Sequence, residues 1–162
     1  MFKKNTQTED LKIVGIISDT HGRLRPAAMR ALKGVDLIIH AGDVGKPDIL
    51  EDLQAIAPVE AVRGNMDMDD WAYRLPETKL IDLGSVLLYV IHDVYKINGK
   101  PPKAGVSAVI HGHTHKASSI KDHNGILFLN PGSATHPRFN SPASIALLSV
   151  KGKSLIPQFI EF

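Results

Sequence analysis

Lys12-Ile13-Val14-Gly15-Ile16-Ile17-Ser18-Asp19-Thr20-His21-Gly22 is the stretch whose reading decides the fold. Lys12 to Ser18 is a short apolar run rich in Ile and Val, the pattern of a buried strand. It ends in a polar turn, Asp19-Thr20-His21-Gly22. Pro26 then suits the first turn of a helix, and Ala27 to Leu32 holds good helix formers. The alternation continues outward. Val35 to His40 reads as a second strand followed by Ala41-Gly42-Asp43. Pro47 to Ala57 reads as a second helix with Ile49, Leu50, Leu53 and Ile56 on one face. Val59 to Arg63 is a third strand that ends in Gly64-Asn65.

The second half is strand-rich. Lys79 to Leu83 and Val86 to His92 flank Gly84-Ser85, a hairpin signal. Val106 to His111 is an apolar run ending in Gly112-His113-Thr114-His115. Ser118 to Asp122 and Ile126 to Leu129 flank His123-Asn124-Gly125, and Asn-Gly is a strong turn signal. Ser144 to Val150 and Ser154 to Ile160 flank Lys151-Gly152-Lys153, a last hairpin. The expectation is an α/β fold with an early βαβαβ portion and then largely antiparallel strands. Two sheets packed face to face with helices outside would bury all these runs. No repeat or linker divides the chain. Residues 12–162 read as a single domain and residues 1–11 as a flexible polar extension.

Composition narrows the function classes. The 162 residues are 43% hydrophobic and 22% charged, close to a soluble globular average. Their length allows a substantial core. The net charge of +2 is too small to argue for nucleic-acid binding. No segment approaches the roughly eighteen apolar residues that a membrane helix needs, and the first eleven residues carry no secretory signal. There is no cysteine, so disulfides, thiolate metal sites and a cysteine nucleophile are excluded. That suits a reducing cytoplasm, the expected location. A homo-oligomer is left open, because exposed sheet edges favour pairing.

The chemistry lies in position. Five apolar runs each end in a ligand-type residue: Asp19 and His21, then Asp43, Asn65, His92, and finally His113 and His115. In α/β sheets, ligands bind beyond the carboxyl ends of strands. Strands whose ends lie together would gather these seven side chains into one cleft. Gly22, Gly42, Gly64 and Gly112 sit beside them, where a tight turn or close backbone approach needs a missing Cβ. Carboxylate and imidazole together suit Mn, Fe, Ni or Zn. Two such ions about 3.5–4 Å apart clamp a phosphoryl group and acidify a bridging water, whose hydroxide attacks phosphorus in line.

The set Asp19-x-His21, Gly42-Asp43, Gly64-Asn65, His92 and Gly112-His113-Thr114-His115 resembles the calcineurin-like metallophosphoesterases. His40-Ala41-Gly42-Asp43 and Asn130-Pro131-Gly132-Ser133 resemble the small prokaryotic phosphodiesterase branch of that family. The resemblance implies a four-layer α/β/β/α sandwich of two mixed sheets with flanking helices. It implies Asp19, His21 and His115 on a first metal, Asn65, His92 and His113 on a second, and Asp43 bridging them. It also implies Asp43, Asn65 and His113 as the residues nearest the chemistry. Manganese is expected first, and nickel, iron or zinc fit the same set. The implied substrate is a small phosphate ester, a diester before a monoester.

Two departures from the family pattern stand out. Where many members have His after Gly-Asn as proton donor, this chain has Met66. Asp67, a neighbouring His or a metal-bound water is then the substitute. Where the family reads Gly-His, this chain reads Ile91-His92-Asp93. Both departures favour the rival reading, a non-catalytic interaction scaffold of the same fold, as in the retromer subunit of this family. The complete ligand set favours the enzyme. Each motif also has a plainer reading: Asp19 as a helix cap, Gly42-Asp43 and Gly64-Asn65 as turns, and His123 as exposed hairpin. His40 reads as a buried support for the site, and Arg63 and Arg138 as solvated or ion-paired. Trp71 reads equally as lid, interface or core.

Overall fold

The computed structural model describes residues 9–98 and 104–162. Most of the expected N-terminal extension and part of the loop after Tyr95 lie outside these residues. Two five-stranded sheets form the molecule. The first contains β1 (Lys12–Ile17), β2 (Leu37–His40), β3 (Val59–Ala61), β9 (Ser144–Lys151) and β10 (Ser154–Glu161), in the order β10-β9-β1-β2-β3. The second contains β4 (Thr78–Asp82), β5 (Leu87–Ile91), β6 (Val106–Ile110), β7 (Ser118–Lys121) and β8 (Leu127–Asn130), in the order β4-β5-β6-β8-β7.

The continuous apolar runs are explained by burial on both strand faces. Ile16, Ile39 and Leu148 point between the sheets, where they meet Leu88, Val90, Ile110 and Leu129. Their chain neighbours Ile17 and Ile38 point the other way, onto α1 (Pro26–Ala31) and α2 (Pro47–Gln54). Both helices start on the expected proline, whose fixed φ and missing N–H suit that position. Ile49 and Leu53 of α2 are buried, and Leu50 and Ile56 pack beside them. On the far side of the second sheet, Tyr89, Ile91 and Val109 are covered by Val94 and Ile97. Those two belong to a short 3-10 turn, Val94–Ile97. The four layers are therefore present, with a thin fourth layer among the described residues. Another 3-10 turn, Asp70–Arg74, places Trp71 against the helix-side core.

Most pairings of the second half are antiparallel as expected, but two are not: β5 pairs with β6 and β6 with β8 in parallel. The three expected hairpins do form, as β4-β5, β7-β8 and β9-β10. Local turn signals reveal hairpins, but the pairing of one hairpin with the next is non-local and leaves no turn to read. The β9-β10 hairpin leaves its sequence neighbours and joins β1 in the first sheet. Each sheet thus has a parallel triplet, β1-β2-β3 and β5-β6-β8. None of the described helices is long and apolar enough to cross a membrane.

Candidate metal centre

The carboxyl ends of the two triplets meet, and all seven singled-out side chains converge there. His21 Nε2 is 3.2 Å from His115 Nε2. His92 Nε2 is 3.1 Å from Asn65 Oδ1, which is also 3.0 Å from His113 Nδ1. Two carboxylates stand between these groups. Asp43 Oδ2 is 3.3 Å from His92 Nε2 and 3.9 Å from His21 Nε2. Asp19 Oδ1 is 3.2 Å from His115 Nε2 and 3.9 Å from both His21 and His92. Asp19 thereby reaches both halves of the cluster, a placement that its position in the chain does not reveal.

Hydrogen bonds fix which ring atoms face inward. His92 Nδ1–H donates to the Ala41 carbonyl at 2.7 Å, and His115 Nδ1–H donates to the His136 carbonyl at 2.6 Å. Each ring, in its neutral form, therefore turns an Nε2 lone pair toward the cluster, the arrangement by which outer partners orient metal-binding imidazoles. In its neutral form His115 has no Nε2 proton to give His21. Asp19 Oδ1 is fully buried and accepts no hydrogen bond, although buried polar atoms are nearly always satisfied. Facing lone pairs and an orphaned carboxylate oxygen fit divalent cations. Two ligand-atom groups are compact enough to hold one: Asp19 with His21 and His115, and Asp19 with Asp43 and His92, all within 4.8 Å of one another.

The backbone is bent to present these groups. Asp19, His21, Asp43, His113 and His115 all have positive φ, from 45° to 71°. Non-glycine residues rarely adopt that region, and such strain clusters at functional sites. Gly64 and Gly112 permit the crowding. A Cβ on Gly64 would strike the Asp43 carboxylate and its backbone N–H, and one on Gly112 would strike Ser18 Oγ and Asp19. Gly64→Ala is expected to destabilise the chain by about 1–3 kcal/mol through overpacking. It should also weaken metal affinity about 10–100-fold by displacing Asp43. Metal titration of the purified variant checks both. Unchanged affinity would show that the Asp43 position is not critical.

Several groups support these ligands, and two of them, Ser18 and Thr135, carry no signal in the sequence. Ser18 Oγ–H donates to Asp19 Oδ2 at 2.7 Å, and the Met66 N–H donates to Asp43 Oδ1 at 2.9 Å. Ser133 and Thr135 hydroxyls bond the Asp19 carbonyl, and Asn130 Nδ2 bonds the Gly112 carbonyl. The Asn130-Pro131-Gly132-Ser133 motif was the only sequence signal for this group. His40 is fully buried: its Nε2–H donates to Thr20 Oγ1, and its Nδ1 accepts from the Gly42 N–H. Burial holds its pKa down at about 4, so it stays neutral and props the Gly42-Asp43 turn. Met66 is exposed. Asp67 accepts N–H bonds from Val44, Gly45 and Gly64, so it clamps loops and is not poised to protonate a leaving group. Arg63 pairs with Glu77 at 2.6 Å and lies over the Tyr73 ring. His123 is exposed on its hairpin.

Electrostatics couple the buried carboxylates to the rings beside them. Burial alone would raise the Asp19 carboxyl, but contact with His115, the charge of His92 and the Ser18 hydroxyl lower it overall. Asp43 is likewise raised by burial, then lowered overall by His92 and the Met66 N–H. Burial depresses His92, but Asp43 and Asp19 raise it overall. Asp19 raises His115, with burial opposing.

Fold and centre define a class: two-sheet α/β sandwiches with an Asp/His metal centre where the carboxyl ends of parallel strands meet. Residues 13–153 match the family model of the calcineurin-like phosphoesterase superfamily domain. The chain belongs to that superfamily of metallophosphoesterases. It is 35% identical over 160 residues to a probable metallophosphoesterase of Methanothermobacter thermautotrophicus, covering 91% of each chain. Its fold is similar to that of Vps29 from Chaetomium thermophilum, with TM-score 0.75, 17% identity, and 93% and 95% of the two chains covered. It is also similar to an archaeal phosphodiesterase, with TM-score 0.73, 21% identity, and 91% and 99% covered.

Proposed function

We propose that this protein hydrolyses phosphate esters, diesters before monoesters, at a two-metal centre. In this reading Asp19, His21 and His115 hold one ion, and Asn65, His92 and His113 hold the other. Asp43 is shared between them. The observation that carries it is the pair of inward Nε2 lone pairs, on His92 and His115, set beside the orphaned oxygen of Asp19. Divalent ions of this kind, when bound, acidify water and withdraw charge from phosphoryl oxygens. The chain's own part is to hold each ligand in one tautomer and orientation, through the Ala41 and His136 carbonyls and the Ser18 hydroxyl. Met66 offers no proton to the leaving group, and loss of such help typically costs about 10²–10⁴-fold. Esters with good leaving groups are therefore the preferred substrates.

The test is hydrolysis of bis(4-nitrophenyl) phosphate and 4-nitrophenyl phosphate by metal-stripped protein, with Mn, Ni or Zn added back singly. Metal-restored turnover with a diester preference is expected. Stoichiometric metal binding without turnover would favour the interaction scaffold, the reading to which exposed Met66 lends weight.

Proton release gives an independent check. His92 and His115 have pKa values above 6.5 in the metal-free fold. Their protonated forms stabilise that fold fully below the unfolded value of 6.5, and the gain is lost as pH rises through the raised values. Metal needs the deprotonated rings. Binding at pH 6.5 should therefore release protons, and fewer as pH increases. Calorimetry in buffers of different ionisation enthalpy measures the number. No release at pH 6.5 would remove these two histidines from the ligand set.

A further inference from the structure

Two grooves reach the centre and share no lining residue. One, of about 520 Å³, touches Asn65 and His92 and mixes charges, with Arg63 neutralised by Glu77 beside Asp67 and Asp93. The other, of about 700 Å³, starts at His113 and differs in character. Lys116 and Arg138 line it, and no acidic side chain does among the described residues. Nor does either cation make an ion pair among those residues. Tyr95 and Phe139 also line it and are 75% and 80% exposed, so their rings are largely uncovered. Phe139 has φ of 58°, a real outlier for a bulky residue, and strain of this kind tends to persist where it serves a site. His111, at the same wall, is buried, and its Nδ1 has no hydrogen-bond partner.

Aromatic faces with adjacent cations bind planar rings that carry negative charge, by stacking and charge-assisted hydrogen bonds. We propose that this groove holds one ester arm of the substrate, and that this arm carries an aromatic ring and a second anionic group. The scissile phosphate then lies at the metal centre beside His113. Tyr95 and Phe139 flank the ring, and Lys116 and Arg138 meet the second anion. The inference rests on the hydrolase reading above and adds the substrate class. It also assigns a task to Arg138, which the first groove's paired Arg63 does not share.

The experiment is titration calorimetry of the metal-loaded full chain with thymidine 3′,5′-bisphosphate, thymidine 5′-monophosphate and inorganic phosphate, with ligand integrity checked afterwards. The bisphosphate is expected to bind at least about tenfold more tightly than the monophosphate, as one further charge-assisted contact allows. The Lys116→Ala/Arg138→Ala double variant should erase that margin. Phe139→Ala should weaken both nucleotides relative to inorganic phosphate by about fivefold. A bisphosphate bound no more tightly than phosphate, or a margin that survives in the double variant, would overturn the subsite. Hydrolysis of bis(4-nitrophenyl) phosphate measured on the same preparation separates the two failures. Turnover without the margin sinks the groove alone, and absence of turnover sinks the hydrolase and the substrate arm together.

Discussion

Asp43→Ala is expected to lower metal-restored hydrolysis by about a thousandfold or more. Asp43 Oδ2 is the carboxylate oxygen 3.3 Å from His92 and 3.9 Å from His21, so one truncation disturbs both halves of the centre. Metal-ion catalysis contributes several kcal/mol of charge stabilisation, and about 4 kcal/mol corresponds to the thousandfold loss. The effect should appear in metal binding as well as in turnover. Asp43→Asn is the sharper probe, because it keeps the acceptor for the Met66 N–H while removing the charge. Metal titration followed by steady-state kinetics at saturating metal checks the pair. Wild-type turnover by either variant would show that Asp43 is not shared between the ions.

The second large effect is on stability. Asp67→Ala should destabilise the metal-free chain by about 3–5 kcal/mol, against about 5–15 kcal/mol for a typical domain. Asp67 is 4% exposed and accepts three backbone N–H bonds, from Val44, Gly45 and Gly64. Truncation leaves these donors without the acceptor around which their loops are folded. Each unmet buried donor costs about 1–3 kcal/mol, and water entering the space would hold the total toward the lower end. Since Val44 and Gly64 flank Asp43 and Asn65 in the chain, the centre should loosen too. Urea unfolding in the presence of a chelator measures the effect, with the midpoint read at constant slope. A change below about 1 kcal/mol would mean that the loops are held by other contacts.

These two aspartates show what can be read from a linear pattern. Asp43 is legible because it follows an apolar run and a glycine, and because its motif occurs in order with the others. Asp67 has the same side chain and lies just two residues from Asn65, yet it turns away from the centre into a backbone clamp. Its role depends on where Val44 and Gly45 lie, and they come from a different strand end. The open reading of Asp67 as a proton donor therefore had to wait for the fold. Trp71 is a similar case: it follows Asp69-Asp70 in the chain, but the 3-10 turn swings it onto the helix-side core.

Sequence by itself determined the apolar runs, the two proline-started helices, the three hairpins and the residue types of the centre. These follow from local rules: alternation and continuity of apolar residues, proline geometry, and turns that need glycine. Tertiary structure alone decided that β5, β6 and β8 run parallel, which brings His92 and His113 to the same end as Asp19 and Asp43. It alone decided that Asp19 reaches both halves of the cluster, and that carbonyls of Ala41 and His136 set the tautomers of His92 and His115. Such features depend on chain segments far apart in sequence. A side chain's local pattern states what it is able to bind, and only packing fixes which atoms it faces.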